Sequence, residues 1–171
     1  RRVHPYLSVG GLYIAAETAE IKIRLDHTAN YDYQEVVRVK TGFNTNIEKD
    51  TVENTNFRKV LYTGKFSQLV LMCLKPGEEI GEEVHDDVDQ FFRFEEGEGI
   101  VEIDGVKHDV KDGSAVVVPN GANHNVTNTS KTTDLKLYTI YSPPEHKDGT
   151  IHKTREEAMA GEEHFDGKTT E

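Results

Sequence analysis

Four side chains with lone pairs to give, Glu83, His85, Gln90 and His124, fall in two short stretches of the chain. Glu83 and His85 stand two apart in GEEIGEEVHDDVDQFFRFEEG, residues 77–97. Side chains i and i+2 of a β-strand share a face, so these two aim at one point. The run DDVD, whose Asp residues suit a turn better than a pleated core, then breaks the strand. Gln90 heads a second apolar strand, QFFRF. Three potential metal ligands thus converge from neighbouring strands, and a fourth comes from GSAVVVPNGANHNVTN, residues 113–128. There SAVVVP reads as a buried strand, the Pro-Asn-Gly turn reverses the chain, and His124 opens the returning strand.

These two stretches resemble the paired motifs of the cupin superfamily. The second motif, G(X)5PXG(X)2H(X)3N, is met at Gly113, Pro119, Gly121, His124 and Asn128. The first, G(X)5HXH(X)3,4E(X)6G, is met at Gly77, His85 and Gly97, with Glu83 in the first His position and Gln90 in that of the usual Glu. The resemblance covers residues 40–161 and points to a small single-domain bacterial group, often likened to the cupin domain of mannose-6-phosphate isomerases. It implies an all-β fold, a single antiparallel jelly-roll barrel with an ion at the bottom of an apolar cavity. Where that family uses three His and one Glu, this chain offers Glu83, His85, Gln90 and His124, as though carboxylate and neutral ligand had changed places. Two His and one carboxylate suit Fe(II) and other first-row divalent ions. Asp89 is the rival of Gln90, since the family spacing tolerates either, and its binding would favour a harder ion such as Mn. The expected cofactor is therefore a divalent first-row metal ion, one of Fe, Mn, Ni or Zn. Phe92 and Phe94 share the parity of Gln90 and are expected to line the cavity, where a small-molecule ligand would bind.

The elements that must position these residues are legible as alternating strands. FRKVLYTG and QLVLMCLK read as a hairpin around a Gly-containing turn. The Asp104-Gly105 pair between IVEI and VKHDV is a hairpin signal, and LKLYTIYS, residues 135–142, is a last strand ended by Pro143 and Pro144. The barrel is expected over 40–142. In the tail, 143–171, Thr154 and Glu157 form a capping box before a short helix that Gly161 stops. FDGKTTE is expected to be disordered. His146 and His152 flank Asp148-Gly149, either as exposed tail residues or as an acid or base reaching over the barrel mouth; His4, His27, His108 and His164 read as surface. Residues 1–39 form a strand-rich extension outside the resemblance, with LYIAAE, EIKIRLD and EVVRV as its strand-like pieces. Ile21, Ile23 and Leu25 alternate against charge, so that apolar face must be buried, and exposed edges invite pairing; a homodimer is expected.

Composition narrows the partners. With 171 residues, one domain is the natural prior. Lys and Arg number 20 against 31 Asp and Glu, for a net charge of -11. Such a chain repels nucleic acid and anionic membranes, so neither is expected as a partner. No run approaches the roughly 18 apolar residues of a membrane span, and no secretory h-region follows Arg1 and Arg2; a cytoplasmic protein is expected. The single cysteine, Cys73, lies in an apolar strand with no activating base evident and reads as a buried structural thiol. Two function classes remain: a metal-dependent enzyme on a small oxygenated molecule, isomerase-like or dioxygenase-like, or a non-catalytic binding or sensing module using the same pocket.

Overall fold

The computed structural model describes residues 40–161 and 163–171 in full and, within residues 1–39, the backbone of four short strands. The chain falls into two compact units, residues 1–43 and 44–171. In the first unit β1 (Leu7–Val9) pairs antiparallel with β2 (Leu12–Ile14), and β3 (Glu20–Arg24) with β4 (Gln34–Arg38), Ile21 opposite Val37. The strand-like pieces read from the sequence fall on β2, β3 and β4. The expected burial of Ile21, Ile23 and Leu25 lies outside the described residues.

The second unit opens with α1 (Ile47–Glu53), which the sequence reading did not anticipate. Asn46 caps it by accepting from the Lys49 amide at 3.1 Å, and Glu48 and Asp50 in its first turn favour the positive end of the helix dipole. The strands follow: β5 (Arg58–Thr63), β6 (Gln68–Leu74), β7 (Asp89–Glu96), β8 (Glu98–Ile103), β9 (Val106–Lys111), β10 (Ala115–Val118), β11 (His124–Asn128), β12 (Leu135–Ser142) and β13 (Ile151–His152). They pair antiparallel in two sheets, one ordered β10-β7-β12-β6-β5-β13 and one ordered β11-β8-β9. This is the jelly-roll arrangement, with α2 (Arg155–Ala160) at its C-terminal end. Thr154 and Gly161 cap α2 as the sequence predicts.

Alternation decides what lies between the sheets. Val70, Met72 and Leu74 of β6, Phe92 and Phe94 of β7, Val101 of β8, Val126 of β11 and Leu135 and Leu137 of β12 are buried in one cluster. Burying such side chains stabilises by about 1.5–3 kcal/mol each. The hairpin turn of β8 and β9 is made by Asp104 and Gly105, both at positive φ. Gly97 is demanded by space as well as by its φ of 89°: a Cβ there would run into the Asp134 carbonyl oxygen.

Three expectations are corrected. β10 is a sheet edge and not a buried strand: Ala115 and Val117 face solvent while Val118 is buried. The C-terminal residues are not loose, because the Thr170 amide donates to the Thr63 carbonyl and its hydroxyl accepts from the Thr63 amide, both at 2.9 Å. His146 is buried. Its backbone is clamped by Gln68, whose amide donates to the His146 carbonyl at 2.6 Å and accepts from the His146 N–H at 2.9 Å.

Candidate metal centre

Glu83 reaches the site because residues 79–83 run beside β11. The Ile80 N–H donates to the Val126 carbonyl, and Glu83 and His124 exchange both backbone hydrogen bonds, at 2.9 and 3.0 Å. Residues paired this way put their side chains on one face. His85 lies outside any regular strand, yet the turn read from Pro-Asn-Gly holds it: the Gly121 N–H donates to its carbonyl at 2.7 Å. Gln90 sits on β7, opposite Val118 on one side and Tyr141 on the other, and is buried.

One ligand atom from each of Glu83, His85 and His124 lies within 4.8 Å of the other two. This Glu/His/His cluster is compatible with a metal site, and two observations test the fit. His85 Nε2 is buried with no hydrogen-bond partner among the described residues; Glu83 Oε2 stands 3.5 Å away, at the outer limit of hydrogen-bond range. A buried ring nitrogen left this way is costly unless its lone pair is used. The second observation concerns His124, whose Nδ1 lies 3.1 Å from the Ala122 carbonyl and whose Nε2 lies 2.9 Å from Gln90 Oε1. A neutral imidazole has one N–H. Given to Ala122, it leaves the Nε2 lone pair facing the amide oxygen, and two acceptors so placed suit neighbouring donors to one cation. Gln90 is oriented for this by donating its Nε2 to Thr139 Oγ1 at 3.1 Å. Asp89 is turned outward, exposed, and accepts from the Asn120 N–H at 3.0 Å. Phe92 and Phe94 are fully buried, with the Phe92 ring 6.2 Å from that of His124.

The surrounding charges set the protonation states. Burial alone would raise the Glu83 carboxyl, but the His85 ring and the Arg58 guanidinium outweigh it and hold the carboxyl below its usual range. The same Glu83 carboxylate raises His85, helped by Glu145, whose Oε2 is 3.7 Å from His85 Nδ1. Burial lowers His124 and so keeps it neutral, as a ligand must be. The site also gathers Arg58 and Tyr141, which sequence reasoning did not assign to it, and His146, which it left open between an exposed tail residue and a group at the barrel mouth. Arg58 lies 3.8 Å from Glu83, Tyr141 meets the His85 ring edge-on at 5.9 Å, and His146 packs on Tyr141 at 5.0 Å. Arg58 left a signal: it shares the parity of Val60, so a charge occupies an inward position of a half-buried strand. Elsewhere Cys73 is buried as expected, although Lys75 Nζ comes within 3.8 Å of it. Burial raises its thiol despite the neighbouring lysines, which leaves it an inert group.

Among known proteins, the family model for the cupin domain matches residues 70–141. Uncharacterized protein YrkC of Bacillus subtilis is 49% identical over 127 residues, which are 71% of this chain and 68% of that protein. A protein of Acanthamoeba polyphaga mimivirus is 42% identical over 113 residues, 64% of this chain and 71% of that one. A crystal structure from Bacillus halodurans, 43% identical, superposes with a TM-score of 0.68 over 70% of this chain and 94% of that one.

Proposed function

The chain belongs to the cupin superfamily, and from that premise we propose that it is a metal-dependent enzyme acting on a small oxygenated molecule. Glu83, His85, His124 and Gln90 would hold one divalent first-row ion, of Fe, Mn, Ni or Zn. The observation that carries this reading is the Glu83, His85 and His124 cluster, in which the His85 Nε2 is buried with no hydrogen-bond partner among the described residues. Such an ion supplies a Lewis acid that polarises a substrate oxygen or orients a substrate beside it. The protein's own residues prepare the site. Arg58 and His85 keep Glu83 ionised. Glu145 faces the far nitrogen of His85, where a carboxylate orients a ligating ring and raises its basicity. Thr139 turns the Gln90 amide so that its oxygen, the better donor, faces His124. Phe92 and Phe94 close the inner side with apolar surface, which keeps bulk water from the ligands.

The reaction is either isomerase-like or dioxygenase-like, and metal-by-metal loading separates them. Apo-protein is loaded with Fe(II), Mn, Ni or Zn, then offered diketones, catechols and free sugars while oxygen is monitored. Oxygen uptake with Fe(II), Mn or Ni identifies a dioxygenase, whereas anaerobic turnover with Zn or Mn identifies an isomerase. Tight ligand retention without turnover under any ion would overturn the enzyme reading in favour of a binding or sensing module.

A further inference from the structure

Arg58 is 3% exposed, and its guanidinium carries five N–H donors that deprotonation cannot remove. Among the described residues its Nε meets no acceptor. Its ionic neighbour is Glu83, whose Oε1 stands 3.8 Å from Nη2, beyond hydrogen-bond range. Glu83 is also committed elsewhere, because Oε2 faces His85 in the ligand cluster. The Phe57 ring, 6.0 Å from the guanidinium carbon, adds a cation–π contact at the outer limit of such contacts. A buried cation so poorly satisfied is unfavourable unless an anion completes it.

We propose that Arg58 anchors the carboxylate of a small, singly charged oxo- or hydroxy-acid whose neighbouring oxygen turns to the metal cluster, an assignment that rests on the metal reading above. Geometry favours this ligand because Glu83 links the two sites: one of its oxygens is directed at Arg58 and the other at His85. A two-carbon unit bearing adjacent oxygens has the reach to touch both. Charge limits the ligand to one negative charge. Arg58 and a divalent ion bring three positive charges against the two carboxylates Glu83 and Glu145. A phosphate dianion would exceed that balance and would want a second cation. Arg58 is the cation felt by Glu83, His85, Tyr141 and His146 alike, while Lys136, also buried, is engaged by the Asn54 carbonyl and Asp134. Beside the buried Arg58, Glu83, Glu145 and His85 keep side-chain exposures of 23, 18 and 14%, and a ligand would approach past them.

The test is calorimetric titration of the full-length protein loaded with Mn(II), using pyruvate, 2-oxobutyrate, lactate, neutral pyruvamide and inorganic phosphate, on wild type, Arg58→Lys and Arg58→Gln. At least one acid should bind wild type tenfold or more tightly than pyruvamide and phosphate. Arg58→Lys, which keeps the charge but not the two-pronged donor, should weaken the acid about tenfold. Arg58→Gln should erase the preference for acid over amide, and elemental analysis should find the metal content of wild type in Arg58→Lys, whose charge still keeps Glu83 ionised. Equal binding of acid and amide, no acid binding, a preference for phosphate, or variants that bind like wild type would each overturn the proposal. So would an Arg58→Lys variant that loses its ion together with the acid, since Arg58 would then serve only to hold Glu83. A wild-type chain that takes up no ion fails the metal reading separately, and its acid-to-amide preference without ion still decides the role of Arg58.

Discussion

At the scale of single residues, Gln90 and Asp89 stand side by side in the chain and face opposite ways. Gln90→Ala is expected to lower metal affinity about tenfold or more, as the loss of a ligand or its support does. Asp89→Ala should leave affinity unchanged and loosen the turn at Asn120; titration with a metal-competing chelator checks both. The apo-protein should also show the His85–Glu83 pair in its pH dependence. His85 is raised from its ordinary 6.5, so its contribution is present below that value and lost as pH rises through the raised one. Glu83 is lowered from 4.5, so its contribution is present above that value and lost as pH falls through the lowered one. The melting temperature of apo wild type should therefore exceed that of apo His85→Ala most between about pH 4.5 and 6.5, by about 2–4 °C per kcal/mol, and the gap should close toward alkaline pH. Glu83, His85, Gln90 and His124 were legible through the resemblance to two spaced motifs, which left Asp89 open as the rival of Gln90. Arg58 and Glu145 were not, and His146 was left open, because strand pairing and a long return of the chain bring them together, and no local spacing records that.

Among the elements, the C-terminal segment departs most from what its composition suggests. Polar and rich in His, it reads as exposed, yet β13 pairs with β5, Thr170 binds Thr63 and Gln68 clamps His146. Long-range backbone pairing, invisible in the residues themselves, overrode the local signal. The local signals that held were strictly short-range: the Thr154 N-cap and Gly161 stop of α2, the Asp-Gly hairpin, and the alternation of β12. Burial, reinforced by the positive Arg58, pushes His146 down to about 2. The unfolded chain therefore binds a proton that the folded one refuses, and stability should fall as pH drops below the ordinary imidazole value. His146→Phe keeps the ring against Tyr141 and removes the titration. By pH 5 its stability relative to wild type should improve by about 2 kcal/mol over the difference at pH 8, measured by urea unfolding at both values. An unchanged difference would contradict the burial of His146.

For the whole molecule, the division into residues 1–43 and 44–171 places the entire described core in the second unit. A chain beginning at Lys40 should keep its far-UV spectrum, its cooperative melting and its metal content. We further propose that the full chain is a homodimer. Light scattering on the full-length and Lys40 forms tests this. A full-length monomer contradicts the dimer, and a dimer that survives the truncation contradicts a role for residues 1–39 in it. The barrel was legible from the sequence because two spaced motifs and alternating strands agree on it. What residues 1–39 do was not, since they match no part of the two motifs.

The central claim is that Glu83, His85, His124 and Gln90 form a metal site, and elemental analysis tests it most directly. Full-length protein and the His85→Ala/His124→Ala double variant are dialysed against a mixture of Fe(II), Mn, Ni and Zn and then freed of excess ion. Circular dichroism first establishes that both are folded. Wild type should retain close to one equivalent of a first-row divalent ion per chain and the double variant almost none. Equal metal content in the two proteins would contradict the account.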